Sequence, residues 1–295
     1  MRPTQSIQVQ AADAGQRLDL YLARALGVSR GYVRRLLGRK RIRIAGRPAS
    51  KGVILRTEDR LEVLPFHHPD EGLRAAPEIA LRVLREQDGL VAIEKPAGLP
   101  THPLDFEETK TLLNAMLARY PELRSIGEGG LRGGVLHRLD TYTSGVVLFA
   151  TRDEVWRRAR EEFAGRRVEK RYVARVHGAV SAEQEVVLRL ESRGRRMRVV
   201  ESGGREAVTH LRPLSELADT TLIEVRPLTG VMHQIRATLA HLGHPLLGDQ
   251  HYGSPLELGR HLLHASFIST LGFDAASPPP PESFDRPPAA SACVT

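Results

Sequence analysis

Gly134-Val-Leu-His137-Arg138-Leu-Asp140-Thr-Tyr-Thr143-Ser144-Gly-Val146-Val-Leu-Phe-Ala150-Thr151 decides how the rest of this chain is read. Two apolar runs, Val135-Leu136 and Val146 to Ala150, flank a polar loop. That pattern predicts strand, loop, strand, with His137, Arg138, Asp140, Thr143 and Ser144 projecting from between buried strands. Asp140 is a candidate nucleophile or general base, and Arg138 supplies a permanent positive charge for a phosphate or a displaced base. The plainer alternative is a corner in which Asp140 and Ser144 only make turn hydrogen bonds.

Working outward, Asp153 to Gly165 has helical spacing, with Val155, Ala159 and Phe163 on one face and arginines on the other. Val168 to Gly178 alternates as a strand and carries Tyr172; a strand tyrosine is ordinarily a half-buried packing residue. An arginine-rich, glycine-interrupted segment from Arg189 to Arg205 leads to further strands at Glu206 to Leu211 and Leu222 to Pro227. Thr229-Gly-Val-Met-His-Gln-Ile-Arg236 then opens a helix, followed by Gly248-Asp-Gln-His-Tyr-Gly253. Upstream of the opening stretch, Ile79 to Arg85 and Leu90 to Pro96 form a hairpin about Asp88-Gly89, and Leu112, Leu113, Met116, Leu117 and Tyr120 make a core-facing helix.

Four of these segments, in this order, resemble the RluA-type pseudouridine synthases, which isomerise uridine in RNA. They are Asp88-Gly-Leu-Val-Ala-Ile-Glu-Lys-Pro-Ala-Gly-Leu99, His137-Arg-Leu-Asp-x-x-Thr-Ser-Gly145, Lys170-x-Tyr-x-Ala-x-Val-x-Gly178, and Thr229-Gly-x-x-His-Gln-Ile-Arg236 with its Gly-Asp-x-x-Tyr-Gly partner. The resemblance covers about residues 78 to 270. It implies an α+β catalytic domain with a bent, mostly antiparallel central sheet flanked by helices and an active site in a cleft across it. It assigns Asp140 as the catalytic aspartate, Tyr172 as the active-site tyrosine and Arg236 as the basic partner of Asp140. It also implies that Arg138 fills the space left by a flipped base, with His137 beside it toward the RNA. Lys95-Pro96 is expected to be structural. Two positions depart from the family pattern: Val231 stands where arginine is usual and Thr238 where histidine is common.

The basic residues concentrate near the N-terminus. Between Arg17 and Arg60 thirteen Lys and Arg face three acids, a net of +10, so the remainder of this +8 chain is slightly acidic. Leu18, Tyr21, Leu22 and Ala25 share one helical face stopped at Gly27, and Ser29 caps a second helix carrying Tyr32, Val33, Leu36 and Leu37. Arg41 to Ala45, a turn at Gly46-Arg47-Pro48, and Arg60 to Leu64 then form a hairpin. This helix-helix-hairpin resembles the small RNA-binding domain of ribosomal protein S-four, with Glu58-Asp59 where Gly-Asp is usual. Arg30, Arg34, Arg35, Arg39, Lys40 and Arg43 would crowd one RNA-facing surface, binding phosphates in a salt-sensitive way.

The domain reading is therefore an N-terminal extension (1–14), the basic module (15–65), a linker (66–77), the catalytic domain (78–275) and a proline-rich disordered tail (276–295). Adjacent His67 and His68 in the linker are expected to be solvated rather than metal-binding. The single Cys293 excludes internal disulfides and cysteine chemistry, and no run reaches the roughly 18 apolar residues of a membrane span. A cytoplasmic, monomeric protein is expected, with ribosomal or transfer RNA as partner, no obligate protein partner, and no metal or redox cofactor. Two rivals are a catalytically silent RNA-binding or ribosome-assembly protein and a glycoside hydrolase. The first is disfavoured by the presence of Asp140, Tyr172 and Arg236 together, the second by the lack of a paired acid.

Overall fold

The computed structural model describes residues 1–284, which form two compact units. The first comprises Met1–Arg74 with Leu104–Thr109. Helix α1 (Leu18–Leu26) buries Leu18, Tyr21 and Leu22 and ends on Gly27 in the left-handed conformation. The Ser29 side chain accepts from the Tyr32 N–H and so caps α2 (Arg30–Gly38), which buries Tyr32, Val33, Leu36 and Leu37. A sheet of order β1-β4-β2-β3 completes the unit: β1 (Gln5–Gln8), β2 (Ile42–Ile44), β3 (Arg47–Pro48) and β4 (Arg60–Val63).

Four expectations change here. Residues 5–8 are no loose extension but an edge strand paired with β4. The hairpin turn lies at Ala45-Gly46, one residue earlier than expected, which leaves Arg47-Pro48 free to pair with β2. Residues 66–74 belong to the first unit rather than to a separate linker, and Phe66, His67, His68 and Leu73 are buried in it. His67 contacts Glu71 and the Gly72 carbonyl, and His68 contacts the Leu26 carbonyl at 3.0 Å, so neither ring is solvated. Finally, Leu104–Thr109 joins the first unit, where Phe106 packs against its core and Asp105 and Glu107 pair with Arg39.

The second unit is built on a sheet of order β10-β9-β11-β12-β8-β13-β7-β6-β5, with β14 added beside β13. In chain order the strands are β5 (Arg82–Gln87), β6 (Leu90–Lys95), β7 (Ser144–Ala150), β8 (Glu169–His177), β9 (Gln184–Arg193), β10 (Arg196–Val199), β11 (Arg205–Leu217), β12 (Thr220–Pro227), β13 (Leu263–Thr270) and β14 (Phe273–Ala276). Helices α3 (Leu112–Arg119), α4 (Asp153–Ala164) and α5 (Gln234–His241) complete the α+β unit, with α6 (Pro281–Phe284) at its end. Val155 and Ala159 of α4 pack on Val146 and Leu148 of β7, while Ile235 and Leu239 of α5 pack on Ala174, Ile223 and Val225. The pairings are antiparallel except that β7 runs parallel to β13, with His264 opposite Ser144 and Ala265 opposite Gly145.

That parallel contact explains the glycine in Thr-Ser-Gly. Gly145 has φ +113°, and a Cβ there would lie 2.2 Å from the Ala265 carbonyl oxygen. Gly145→Ala is therefore expected to destabilise the protein by about 3 kcal/mol, measured by urea unfolding, because backbone rather than a flexible side chain must move.

The proline-rich tail does not begin as disordered chain. Ala276 still pairs in β14, the Ser277 N–H reaches the Ser266 carbonyl, and Phe284 is fully buried with Leu247 and Leu262. The buried Arg175 guanidinium donates to the Phe284 carbonyl, tying the segment down. The rest of that expectation, residues 285–295, lies outside the described residues. Among the described residues no helix is long and apolar enough to cross a membrane.

Candidate active site

The chain enters the opening motif as a short antiparallel arm along β7: Val135 bridges Phe149, and the Ala150 N–H donates to the Gly134 carbonyl at 2.8 Å. From His137 to Thr143 it leaves the sheet, then returns at Ser144. Several polar groups pin this excursion. Thr101 Oγ1 donates to the Leu139 carbonyl (2.9 Å) and accepts from the Leu139 N–H (3.1 Å). Lys95 Nζ donates to the carbonyls of Pro96 (2.9 Å), Leu99 (2.7 Å) and Thr141 (3.0 Å). Its ammonium is pulled down to about 7 by burial, while the charge of Asp140 pulls the other way. Lys95 is a clamp on the backbone beside Asp140, consistent with a structural role. Thr143 meets His261 Nε2 at 2.8 Å, and Ser144 meets His264 Nδ1 at 2.9 Å. Burial pushes both imidazoles down to about 4, so they stay neutral.

Asp140 and Arg236, distant in sequence, are brought together. Arg236 Nη1 donates to Asp140 Oδ2 at 3.0 Å. The same guanidinium grips Asp249 in a two-point fork, Nε to Oδ2 at 2.7 Å and Nη2 to Oδ1 at 2.8 Å. Arg236 and Asp249 are 10% and 2% exposed, so the pair is largely shielded from solvent. Burial works against charge on Asp140, but the facing His233 and Arg236 outweigh it and hold the carboxyl below its ordinary range.

The local fold explains how Arg236 is aimed. Gln234 Oε1 accepts from Thr229 Oγ1 (2.8 Å) and the Val231 N–H (3.1 Å), while its Nε2 donates to the Val208 carbonyl (2.9 Å). The Thr229–Gln234 turn is thus locked onto β11, with His233 left-handed (φ 51°) immediately before α5. Gly248, at φ +77°, lets the backbone before Asp249 pass the Arg260 carbonyl, which a Cβ would meet at 2.0 Å.

A cleft of about 810 Å³ opens over this ion pair, lined among others by Asp140, Tyr172, Arg236, Arg138, Met232 and Leu228. Tyr172 projects from β8, and burial together with the Asp140 charge raises its phenol above the ordinary value, keeping it neutral. Arg138 is exposed at the cleft. His137 also lines it, but its Nε2 accepts the Leu148 N–H at 3.1 Å and its ring stacks on Phe163. Burial pushes it down to about 3, so His137 offers the cleft no positive charge. Val231 packs with Leu190, Met197, Ala207 and Ala237 and also lines the cleft, whereas Thr238 is fully buried.

In the first unit the six basic candidates divide. Asp19 is fully buried, and Arg30 (2.8 Å) and Arg34 (3.4 Å) pair with it together with Arg17 (3.0 Å). Arg39 pairs with Asp105 and Glu107, and Arg43 lies 3.8 Å from Glu62. Arg35 rests on the Tyr32 ring and Lys40 is exposed. Among the described residues no group of three or more His, Cys, Asp or Glu is arranged to hold a metal.

Sequence reasoning assigned no role to Asp249, Thr101, His261 or Tyr252. Asp249 and Tyr252 both lay inside the quoted Gly-Asp-x-x-Tyr-Gly motif, and that was the available signal; Thr101 and His261 lay in none.

The geometry agrees with what the chain resembles. The family described as RNA pseudouridylate synthase matches residues 89–241. A relative named "Uncharacterized RNA pseudouridine synthase" from Chloroflexus aurantiacus is 36% identical over 277 residues, spanning 90% of this chain and 85% of that one. "Ribosomal large subunit pseudouridine synthase D" of Xylella fastidiosa is 38% identical over 233 residues, 75% of this chain and 68% of its own. The solved structure of "Human RNA Pseudouridylate Synthase Domain Containing 4" superposes with TM-score 0.55 at 23% identity, covering 67% of this chain and 88% of that chain, a likeness of fold. The chain belongs to the RNA pseudouridylate synthase family and is an RNA pseudouridine synthase.

Proposed function

We propose that this enzyme isomerises uridine in large-subunit ribosomal RNA, with Asp140 as the group that reacts at the sugar. The observation that carries the reading is the Asp140–Arg236 contact on the wall of the cleft. Arg236 occupies Oδ2 of Asp140, while Oδ1 makes no hydrogen bond among the described residues. One carboxylate oxygen is therefore held and the other is open to substrate. The choice of large-subunit ribosomal RNA comes from the printed name of the Xylella relative.

The reaction breaks the bond from uracil N1 to the sugar C1′, turns the base, forms a bond from C5 to C1′, and removes the C5 proton. An ionised Asp140 serves either by attacking C1′ or by taking the C2′ proton to give a glycal; deuterium at C2′ slows only the second route. Tyr172 offers a neutral ring on which the detached base stacks, at about 1–3 kcal/mol per stacked base. The target must leave its stack at a cost of a few kcal/mol, and Arg138, exposed at the cleft, is the residue we assign to the space it vacates.

Phosphate binding in the first unit offsets that cost, as in an S-four-type module. Arg35 and Lys40 are the better phosphate candidates, since Arg30, Arg34 and Arg39 are partly spent on Asp19, Asp105 and Glu107. The double change Arg35→Gln, Lys40→Gln is expected to reduce the log-log slope of affinity against salt by about 1.5 to 2. Filter binding across a salt series measures it; an unchanged slope would remove these two residues from the RNA contact. The activity itself is tested with a large-subunit ribosomal RNA transcript tritiated at uracil C5, from which formation of pseudouridine releases tritium. Release from a transfer RNA transcript alone would instead redirect the substrate assignment.

A further inference from the structure

His233 and Tyr252 lie against the reacting pair without a role in the chemistry above. His233 Nε2 stands 3.7 Å from Asp140 Oδ2, and its Nδ1 is 3.0 Å from the Tyr252 hydroxyl. That hydroxyl accepts the Met197 N–H at 2.9 Å. We assign the Tyr252 proton to His233 Nδ1, since the Met197 N–H occupies a lone pair of the hydroxyl and leaves its O–H to donate. The ring is thereby fixed with its proton on Nε2, facing the carboxylate. The Tyr252 ring in turn carries the Arg236 guanidinium on its face at 4.9 Å.

On the reading that Asp140 is the reacting carboxylate, we propose that His233 is a positioning residue for it. Tyr252 holds the imidazole as the Nε2–H tautomer, and the imidazole with Arg236 confines Oδ2, so that Oδ1 is presented to the sugar. The anchor of the arrangement is the peptide of Met197 on β10, between exposed Arg196 and Arg198. A second tie joins the same two segments, from His251 Nε2 to the Arg195 carbonyl at 3.1 Å. His233 itself is left-handed, with φ 51°, immediately before α5.

The titratable and charged groups facing His233 are Asp140 from the loop before β7, Arg236 on α5, and Asp249, His251 and Tyr252 from the 249–252 turn. Burial lowers the imidazole from its ordinary value, so in the native enzyme it stays neutral through the neutral range. Without the Tyr252 proton, Nδ1 becomes free to protonate and the ring titrates at higher pH. A cation then sits beside Asp140 and blunts it.

Three variants test this by single-turnover tritium release, with binding of the same large-subunit transcript measured in parallel. Tyr252→Phe keeps the ring under Arg236 and removes only the hydroxyl. It is expected to lower the rate about tenfold to hundredfold, leave transcript affinity within about twofold, and move the acid limb of the rate profile up toward pH 6.5. His233→Gln places an amide N–H near the Nε2 position, whereas His233→Asn places its amide near Nδ1. Asn also suits the left-handed backbone better, so backbone strain favours it. The proposal expects the Gln variant to be the faster of the two. A Tyr252→Phe enzyme with native rate and pH profile would overturn it, as would an Asn variant at least as fast as Gln, or losses in affinity equal to those in rate. Failure of the underlying reading looks different: Asp140→Asn would then remain active.

Discussion

Replacing Asp140 with Asn is expected to abolish tritium release, by at least about 10⁴-fold, while leaving transcript binding within about twofold. The substitution is nearly isosteric, so packing in the loop pinned by Thr101 and Lys95 is retained. Arg236 keeps an oxygen acceptor at the Oδ2 position. What is lost is the charge and basicity of the open oxygen, which both routes through the sugar require. Retained release above about 1% of native would remove Asp140 from the chemistry.

The second large effect belongs to Arg236. Arg236→Gln leaves Asp249, 2% exposed, without its fork partner and leaves Asp140 without its holding contact. Breaking a buried pair in this way costs about 3–5 kcal/mol of stability, and activity is expected to fall with it. The two consequences separate in the double variant Arg236→Gln, Asp249→Asn. Without a stranded carboxylate, stability is expected to recover by about 2 kcal/mol or more, whereas activity is not. Recovery of both would show that Arg236 serves the fold alone.

The proposed reactive set was legible because the chemistry proposed for it depends on local strings. His137 to Gly145, Tyr172 in an alternating strand, and His233 to Arg236 each announce themselves within a few residues. What those strings cannot reveal is which polar groups are spent on one another across the fold. Asp19 counts as one of three acids among thirteen basic residues, yet it is the buried hub of Arg17, Arg30 and Arg34. His137 sits in the reactive motif, yet its ring nitrogen receives the Leu148 N–H. Short strands were missed for a related reason. Gln5 to Gln8 shows almost no apolar alternation, and it is β4, some fifty residues on, that makes it a strand. The early part of the proline-rich tail was misread because Phe284, entering the pocket of Leu247 and Leu262, and Ser277, tied to the Ser266 carbonyl, are buried despite a composition that denies burial.

The central claim is that an ionised Asp140, paired with Arg236 and held below the ordinary carboxylate range, carries the reaction. Because its folded pKa is lowered, the reactive form is fully present above the ordinary carboxylate value of about 4 and is lost only as pH falls through the lowered one. The most direct test is the single-turnover rate of tritium release by the native enzyme as a function of pH. No rise in rate is expected through the ordinary histidine range, about pH 6 to 7; a rate that rises through an inflection there would place the titration of another group, a histidine or Lys95 near 7, in the step and contradict the claim.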